Sequence, residues 1–416
     1  MKPLLLSTYD IFGGAARATY RLHKGLQSIG VSSQMLVQTK HSDDETVISP
    51  TTKLSQGIGK LRPTLDTLPL QYYPHRQRSF YSIQWLPDTL ANRVRQLQPD
   101  IINLHWVGFG YLQIESFARF AKPIVWTLHD MWAFTGGCHY SGDCNKYTES
   151  CGKCPQLNSN LEKDLSRWVW QRKLKAWKNL NLTIVTPSYW LAKCSGASSL
   201  LQNARIEVIP NGIDTEIFKP VQRFIARTIL GLPQNKRLIL FGAIEPTSNI
   251  RKGFHLLQPA LKKLSQSDWV DRVELVVFGA SKPKNVPDFG FKSNYLGKLN
   301  DDISLALVYA AVDLFVAPSL EDNLPNTIIE SLACATPCVA FNIGGMPDMI
   351  EHQQNGYLAQ PFDVEDLARG ITWVLEDVER WQKLCDRSRQ KVEQQFTLQI
   401  QAMNYLSLYK NICQRS

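Results

Sequence analysis

Along the chain, short apolar runs alternate with longer stretches of helical periodicity. The runs include residues 3–6, 31–38, 100–105, 124–128, 183–186, 237–241, 273–278, 314–317 and 338–341. Several are continuously apolar rather than alternating, as expected of strands buried on both faces. The intervening segments repeat apolar residues at helical spacing, as in Leu22, Leu26 and Ile29, or run on as helix through 165–180 and 363–416. Strands that alternate with helices predict parallel α/β sheets. With 416 residues the chain exceeds what one core usually supports, which predicts two such domains. Residues 41–95 show no sustained pattern and read as irregular.

The pattern is densest in chemistry at 312–348. Leu314–Ala317 is a buried run that ends in Pro318-Ser319, and Glu321-Asp322-Asn323 makes an acidic turn. Leu324-Pro325-Asn326-Thr327 reads as a helix start, with Asn323 or Asn326 able to cap it. The helix carries Glu330, and Cys338–Phe341 then leads to Gly344-Gly345. A strand end, a polar loop and a helix N-terminus are the parts of an anion site, since free amides and the helix dipole favour phosphate. Asp322 and Glu330 cannot bind phosphate but accept hydrogen bonds from sugar hydroxyls. Together these features suggest a ligand with both phosphate and sugar.

At these residues the chain resembles retaining glycosyltransferases of the two-Rossmann-domain GT-B type, glycosyltransferase family 4. The acid, seven residues and Glu of that family match Asp322 to Glu330, with Asp for the usual first Glu. Ala333–Pro337 and Gly344–Asp348 match as well. The resemblance implies an α/β GT-B fold: two Rossmann-like domains facing across a cleft, with the nucleotide on the second. It implies that Glu330 holds the ribose, and that Asp322 and the amides of Asn323 and Leu324 face sugar and diphosphate, beside Asn326 and Thr327. The family supplies Arg just after the first glycine of the second domain and Lys before the next. Lys252 matches, whereas Ala243 stands where the Arg belongs, and Arg251 is expected to compensate. Tyr295-Leu296-Gly297 corresponds to the segment that meets the base. In the first domain Gly13, Gly14 and Arg17 match a loop near the donor phosphate and acceptor. His129, at a strand end, matches the histidine that contacts the transferred sugar, and His105 is a second candidate on the acceptor side.

The strand-Pro210-Asn211-Gly212-Ile213-Asp214 stretch matches the family's domain junction. It divides the chain into 1–208, 209–395 and a C-terminal helix, 396–416, expected to return to the first domain. The insert 131–156 holds Cys138, Cys144, Cys151 and Cys154. It resembles a subset of exopolysaccharide, colanic-acid-type enzymes. Only its last cysteine pair has zinc-knuckle spacing, so structural zinc competes with free thiols.

Composition is that of a globular protein, with 44% hydrophobic and 20% charged residues. Charge changes the picture more. Residues 1–210 hold 24 Lys and Arg against 14 Asp and Glu, and 211–416 hold 22 against 23, so the net +9 lies in the first half. No nucleic-acid-binding motif accompanies that excess, which leaves an anionic substrate, an anionic membrane surface or a generic surface bias. Aromatic and basic residues in 41–95 and in 165–180 suit a membrane interface or a lipid-linked acceptor; the bland alternative is packing on their own domain. No run approaches a membrane span, and the apolar start is too short for a signal peptide, so a cytoplasmic protein, on the inner face of the membrane, is expected.

The resulting expectation is a hexosyl-type glycosyltransferase. It would use a UDP- or GDP-sugar and a saccharide or lipid-linked acceptor, retain anomeric configuration, and require no catalytic metal, since no Asp-x-Asp motif occurs. The rivals are a catalytically inactive binding subunit, suggested by Asp322 and Ala243, and a sugar epimerase on the same architecture.

Overall fold

The computed structural model describes residues 1–242, 250–279, 287–299 and 301–415. The chain forms two compact units, Met1–Gly212 with Gln399–Ser416, and Ile213–Leu398. Each contains one fully parallel sheet.

In the first unit the strands are β1 (Pro3–Tyr9), β2 (Gln34–Thr39), β3 (Val47–Ile48), β4 (Ile101–Leu104), β5 (Ile124–Thr127), β6 (Leu182–Thr186) and β7 (Arg205–Val208). Their order is β3-β2-β1-β4-β5-β6-β7. The chain moves outward from β1 to β3 and then returns to the other side of β1 at β4, so β1 and β4 border the topological switch point. In open α/β sheets ligands bind beyond the strand ends at that place. In the second unit β8 (Arg237–Gly242), β9 (Val273–Phe278), β10 (Ser293–Gly297), β11 (Leu314–Ala317), β12 (Cys338–Phe341) and β13 (Gly356–Ala359) run in the order β10-β9-β8-β11-β12-β13. Its switch point lies between β8 and β11.

Each sheet is buried on both faces, which explains the unbroken apolar runs. In the first unit one face packs Leu4, Leu6, Leu104, Trp126 and Ile184 against Phe117, Val169 and Trp177. The other packs Leu5, Val37, Val125 and Val185 against Leu22 and Leu26 of helix Gly14–Ser28 and against Ala402, Tyr405 and Tyr409 of the last helix, Leu398–Cys413. That last helix is thus part of the first unit's core. Tyr405 meets Thr127 Oγ1 at 2.9 Å, and Tyr409 donates to the Asn103 carboxamide.

Residues 41–95 are more ordered than their sequence suggests. Helices occupy Lys53–Asp66 and Leu90–Leu97, with a 3-10 segment, Leu68–Tyr72. Gly57, Gly59 and Pro63 lie inside the first helix and lower its intrinsic propensity. The Trp- and Lys-rich helix Leu165–Trp177 lies against the core, with Val169, Trp170, Lys173 and Trp177 buried. Among the described residues no helix is long and apolar enough to cross a membrane.

Candidate functional site

The second unit's switch point carries the densest polar constellation. β8 ends at Gly242 and β11 at Ala317, and beside these ends lies an open hollow lined by Phe241, Lys252, Ser319 and Thr327, among others. A 3-10 turn, Ile250–Lys252, and Gly253 lead into helix Phe254–Ser265. Gly253 has φ +69°, and a Cβ there would stand 1.7 Å from the Pro318 carbonyl. Only glycine lets the Lys252 turn lie this close to the end of β11.

Lys252 Nζ donates to Asp322 Oδ2 at 2.7 Å, and Arg251 lies 3.2 Å from the same oxygen while donating to the Glu321 carbonyl at 2.7 Å. Burial alone would raise the Asp322 pKa; the two cations outweigh it and hold the carboxyl well below its ordinary value. Burial in turn lowers Lys252, an effect that Asp322 opposes. The other Asp322 oxygen accepts the Asn323 amide at 3.1 Å. In this state, therefore, Asp322 engages an amide that the family resemblance assigns to the diphosphate. Gly344, at φ +54°, packs where a Cβ would be 2.1 Å from the Asp322 carbonyl, and Gly345 N–H donates to that carbonyl at 3.1 Å. The glycine turn thus fixes the acidic loop.

Helix Asn326–Ala333 begins after Pro325, which occupies the N-cap position and itself makes no side-chain cap. Proline supplies the extended φ and ψ required there. Glu330 is buried on this helix and receives a hydrogen bond of 3.2 Å from the Tyr309 hydroxyl. Tyr309 carries no sequence signal, because a tyrosine in the apolar helix Asp302–Ala311 reads as core. Asn323 and Leu324 are buried, whereas Asn326 and Thr327 are half-buried at the helix start. Tyr295, Leu296 and Gly297 close β10 beside β9, with a bulge between Tyr295 and Gly297. Ala243 lies outside the described residues.

In the first unit, Gly13 at φ +92° precedes helix Gly14–Ser28, and the Arg17 amide bonds to its carbonyl at 3.0 Å. Gly13, Gly14 and Arg17 therefore form the turn after β1. Beyond β4 and β5, His105 Nδ1 and His129 Nε2 are 3.1 Å apart. Burial lowers both pKa values, that of His129 to about 4, so both rings are neutral at pH 7. A small hollow beside them is lined by Trp106, Asp130, Trp132 and His139. Asp130 accepts from Trp106 Nε1 at 2.8 Å and pairs with His139 Nδ1 at 2.6 Å, and His139 Nε2 reaches Ser82 Oγ at 2.9 Å. His139 and Ser82 come from the insert and from the patternless 41–95 stretch, so sequence spacing gave no sign that they meet.

The insert is tied to its unit by other bonds as well. Fully buried Lys173 donates to the carbonyls of Trp132 and Thr135, and Asp164 accepts the Cys154 amide at 2.8 Å. Burial lowers Lys173 to about 7. Cys138, Cys144, Cys151 and Cys154 are free thiols. Burial raises Cys138 and Cys154 and pushes Cys151 up to about 12, with neighbouring thiols adding to the effect. Among the described residues no group of three His, Cys, Asp or Glu side chains is placed to hold a metal ion.

Comparison with known proteins fits this architecture. The family model described as Glycosyltransferase Family 4 matches residues 12–217, and that described as Glycosyl transferases group 1 matches residues 235–377. A sulfoquinovosyl transferase of Arabidopsis thaliana is 26% identical over 330 residues, covering 77% of this chain and 58% of that protein. A D-inositol 3-phosphate glycosyltransferase of Mycobacterium marinum is 30% identical over 296 residues, covering 66% and 55%. The chain thus spans less than two thirds of these relatives. Among solved structures, sucrose-phosphate synthase of Thermosynechococcus elongatus superposes over 100% of both chains with a TM-score of 0.70 at 18% identity. Anabaena HepE, solved with UDP and glucose, superposes over 99% of this chain and 100% of its own, with a TM-score of 0.65 at 18% identity. The chain thus carries a Glycosyltransferase Family 4 domain followed by a Glycosyl transferases group 1 domain, on the two-Rossmann-domain GT-B fold.

Proposed function

We propose that the chain transfers a hexosyl group from a nucleotide sugar to a hydroxyl of a saccharide or lipid-linked acceptor, with retention at the anomeric carbon. The observation that carries this reading is the Arg251–Lys252–Asp322 cluster at the β8/β11 switch point, beside the start of helix Asn326–Ala333 and buried Glu330. A diphosphate offers Arg251 and Lys252 more charge than Asp322 does. These cations would hold it and stabilise the negative charge that grows as the sugar–phosphate bond breaks. Asp322, released in part, would then accept hydrogen bonds from the sugar. Glu330, oriented by Tyr309, would take the ribose hydroxyls. His129, neutral at pH 7, would act as a hydrogen-bonding group rather than a cation. The work assigned to the protein is positioning and electrostatic stabilisation.

The donor is proposed to carry UDP, in keeping with the UDP found in the Anabaena neighbour; GDP is the alternative. A role in cell-surface polysaccharide synthesis, at the cytoplasmic face of a membrane, is part of the same proposal. It is supported by the basic first half and by the resemblance of the insert. Thermal melting with UDP, GDP, ADP and their sugars tests the donor site, since a ligand of the folded state raises the melting temperature. UDP should stabilise the wild type and not Glu330→Ala. No shift with any nucleotide, with or without acceptor, would overturn the reading in favour of an inactive binding subunit. The anomeric proton coupling of the product, measured by NMR, tests retention.

A further inference from the structure

Helix Lys53–Asp66 is turned inside out. A helix lying on a domain normally hides its apolar stripe and shows its polar face. Here the only buried members are Gly59 and Asp66. Gly59 packs on Gln38, whose carboxamide donates to the Gly59 carbonyl at 3.2 Å. Asp66 accepts the amides of Ile83 and Gln84, and Arg62 Nε donates to the Gly110 carbonyl. The helix is therefore held to its unit by a glycine and two charged residues. Leu54, Ile58, Leu61 and Leu65 point outward and are 76%, 47%, 60% and 39% exposed. At about 100° per residue these four fall within about 60° of one another, in a single stripe. The 3-10 segment that follows extends it with exposed Leu68 and Tyr72.

Cations predominate on the stripe's own segment, and the nearest acid beyond it, Asp88, faces Arg62. Residues 47–87 contain Lys53, Lys60, Arg62, Arg76 and Arg78, and their only acid is Asp66, which is buried and hydrogen-bonded inward. Lys53 and Lys60 flank the stripe on one side. A second copy of this chain on the same face would set Lys53 and Lys60 against their own counterparts, which disfavours self-association. An anionic surface with an apolar layer beneath it satisfies both features: leucines enter the acyl boundary and lysines reach headgroup phosphates.

We propose that the outer face of helix Lys53–Asp66, with Leu68 and Tyr72, docks on a bilayer surface that carries anionic headgroups. This deepens the proposed transfer to a membrane-held acceptor and rests on that reading for its purpose. The helix seats the first unit as a peripheral attachment, within the 41–95 stretch that composition singles out and apart from the tryptophan helix, Leu165–Trp177. In that tryptophan helix Trp170 and Trp177 are buried, whereas Trp168 is exposed.

Flotation of the full chain with phosphatidylcholine vesicles, with and without about a third phosphatidylglycerol, tests this directly. Wild type should float with the anionic vesicles, weakly with the neutral ones, and less at high salt. The triple variant Leu54→Ser, Ile58→Ser, Leu61→Ser and the double variant Lys53→Glu, Lys60→Glu should each lose binding about tenfold or more. Both should keep the melting shift given by UDP, which separates loss of docking from loss of the donor site. Undiminished flotation of either variant, or no flotation of wild type, would overturn the proposal. So would a wild-type dimer in size-exclusion chromatography that the serine variant dissolves, which would assign the face to a second copy.

Discussion

Close approaches at single residues set the chemistry of the second unit. Gly253 has two reasons to be glycine, its positive φ and the Pro318 carbonyl, whereas Gly231, at φ +64°, has nothing within 4 Å of a built Cβ. Gly231→Ala should therefore cost only backbone strain, about 1–2 kcal/mol. Gly253→Ala should cost more, about 3 kcal/mol or above, because backbone must also move, and it should weaken UDP binding by displacing Lys252. Urea unfolding and nucleotide titration of the two variants check this; equal losses would refute the close-packing argument. Buried histidines give a second prediction. His23 bonds Ser33 and Thr46, and burial lowers its pKa to about 4, as it does that of His129. Below pH 6.5 the unfolded chain takes up protons that the native state refuses, so stability falls with pH and this loss levels off near 4. Each such shift is worth about 3 kcal/mol. Melting temperatures between pH 6.5 and 4.5 should fall steeply for wild type and less steeply for His23→Gln. These residues differ in legibility. Asp322, Glu330 and Lys252 match positions of the family that the chain resembles, but Tyr309, Ser82 and His139 do not, since contacts from distant segments place them.

Among the elements, strands and their glycine-bounded ends were the most legible, because burial on both faces requires an unbroken apolar run. The runs at 273–278, 314–317 and 338–341 coincide with β9, β11 and β12. Helix Lys53–Asp66 was read as irregular because glycine and proline mask its periodicity and its polarity is reversed. The last helix illustrates the opposite case, in which an element belongs to a core far from it in sequence. Tyr405 is fully buried among residues of β1, β5 and β6. Tyr405→Ala should cost about 3–5 kcal/mol. Tyr409→Phe, which leaves the Asn103 oxygen without its donor, should cost about 1–3 kcal/mol. Both are measurable by urea unfolding. A Tyr405→Ala loss under 1 kcal/mol would mean that the helix adds little to the first unit.

For the whole molecule, among the described residues the hydrophobic clusters of the two units have separate memberships. Calorimetry should therefore resolve two transitions, and UDP should raise only the one belonging to Ile213–Leu398. A single transition moved as a whole would show that the units unfold together. The sequence by itself determined two α/β domains and the basic bias of the first half, and through its family resemblance it singled out the stretch near Pro210 and the pair Asp322 and Glu330. The first two follow from local chemistry, apolar runs and composition. Only the tertiary structure decided that Asp322 is held by Lys252 and Arg251, that His139 meets Asp130, and that one helix turns its leucines outward. Those outcomes depend on which surfaces meet across the fold. Burial and partnership are properties of that meeting, and no single stretch of sequence contains it.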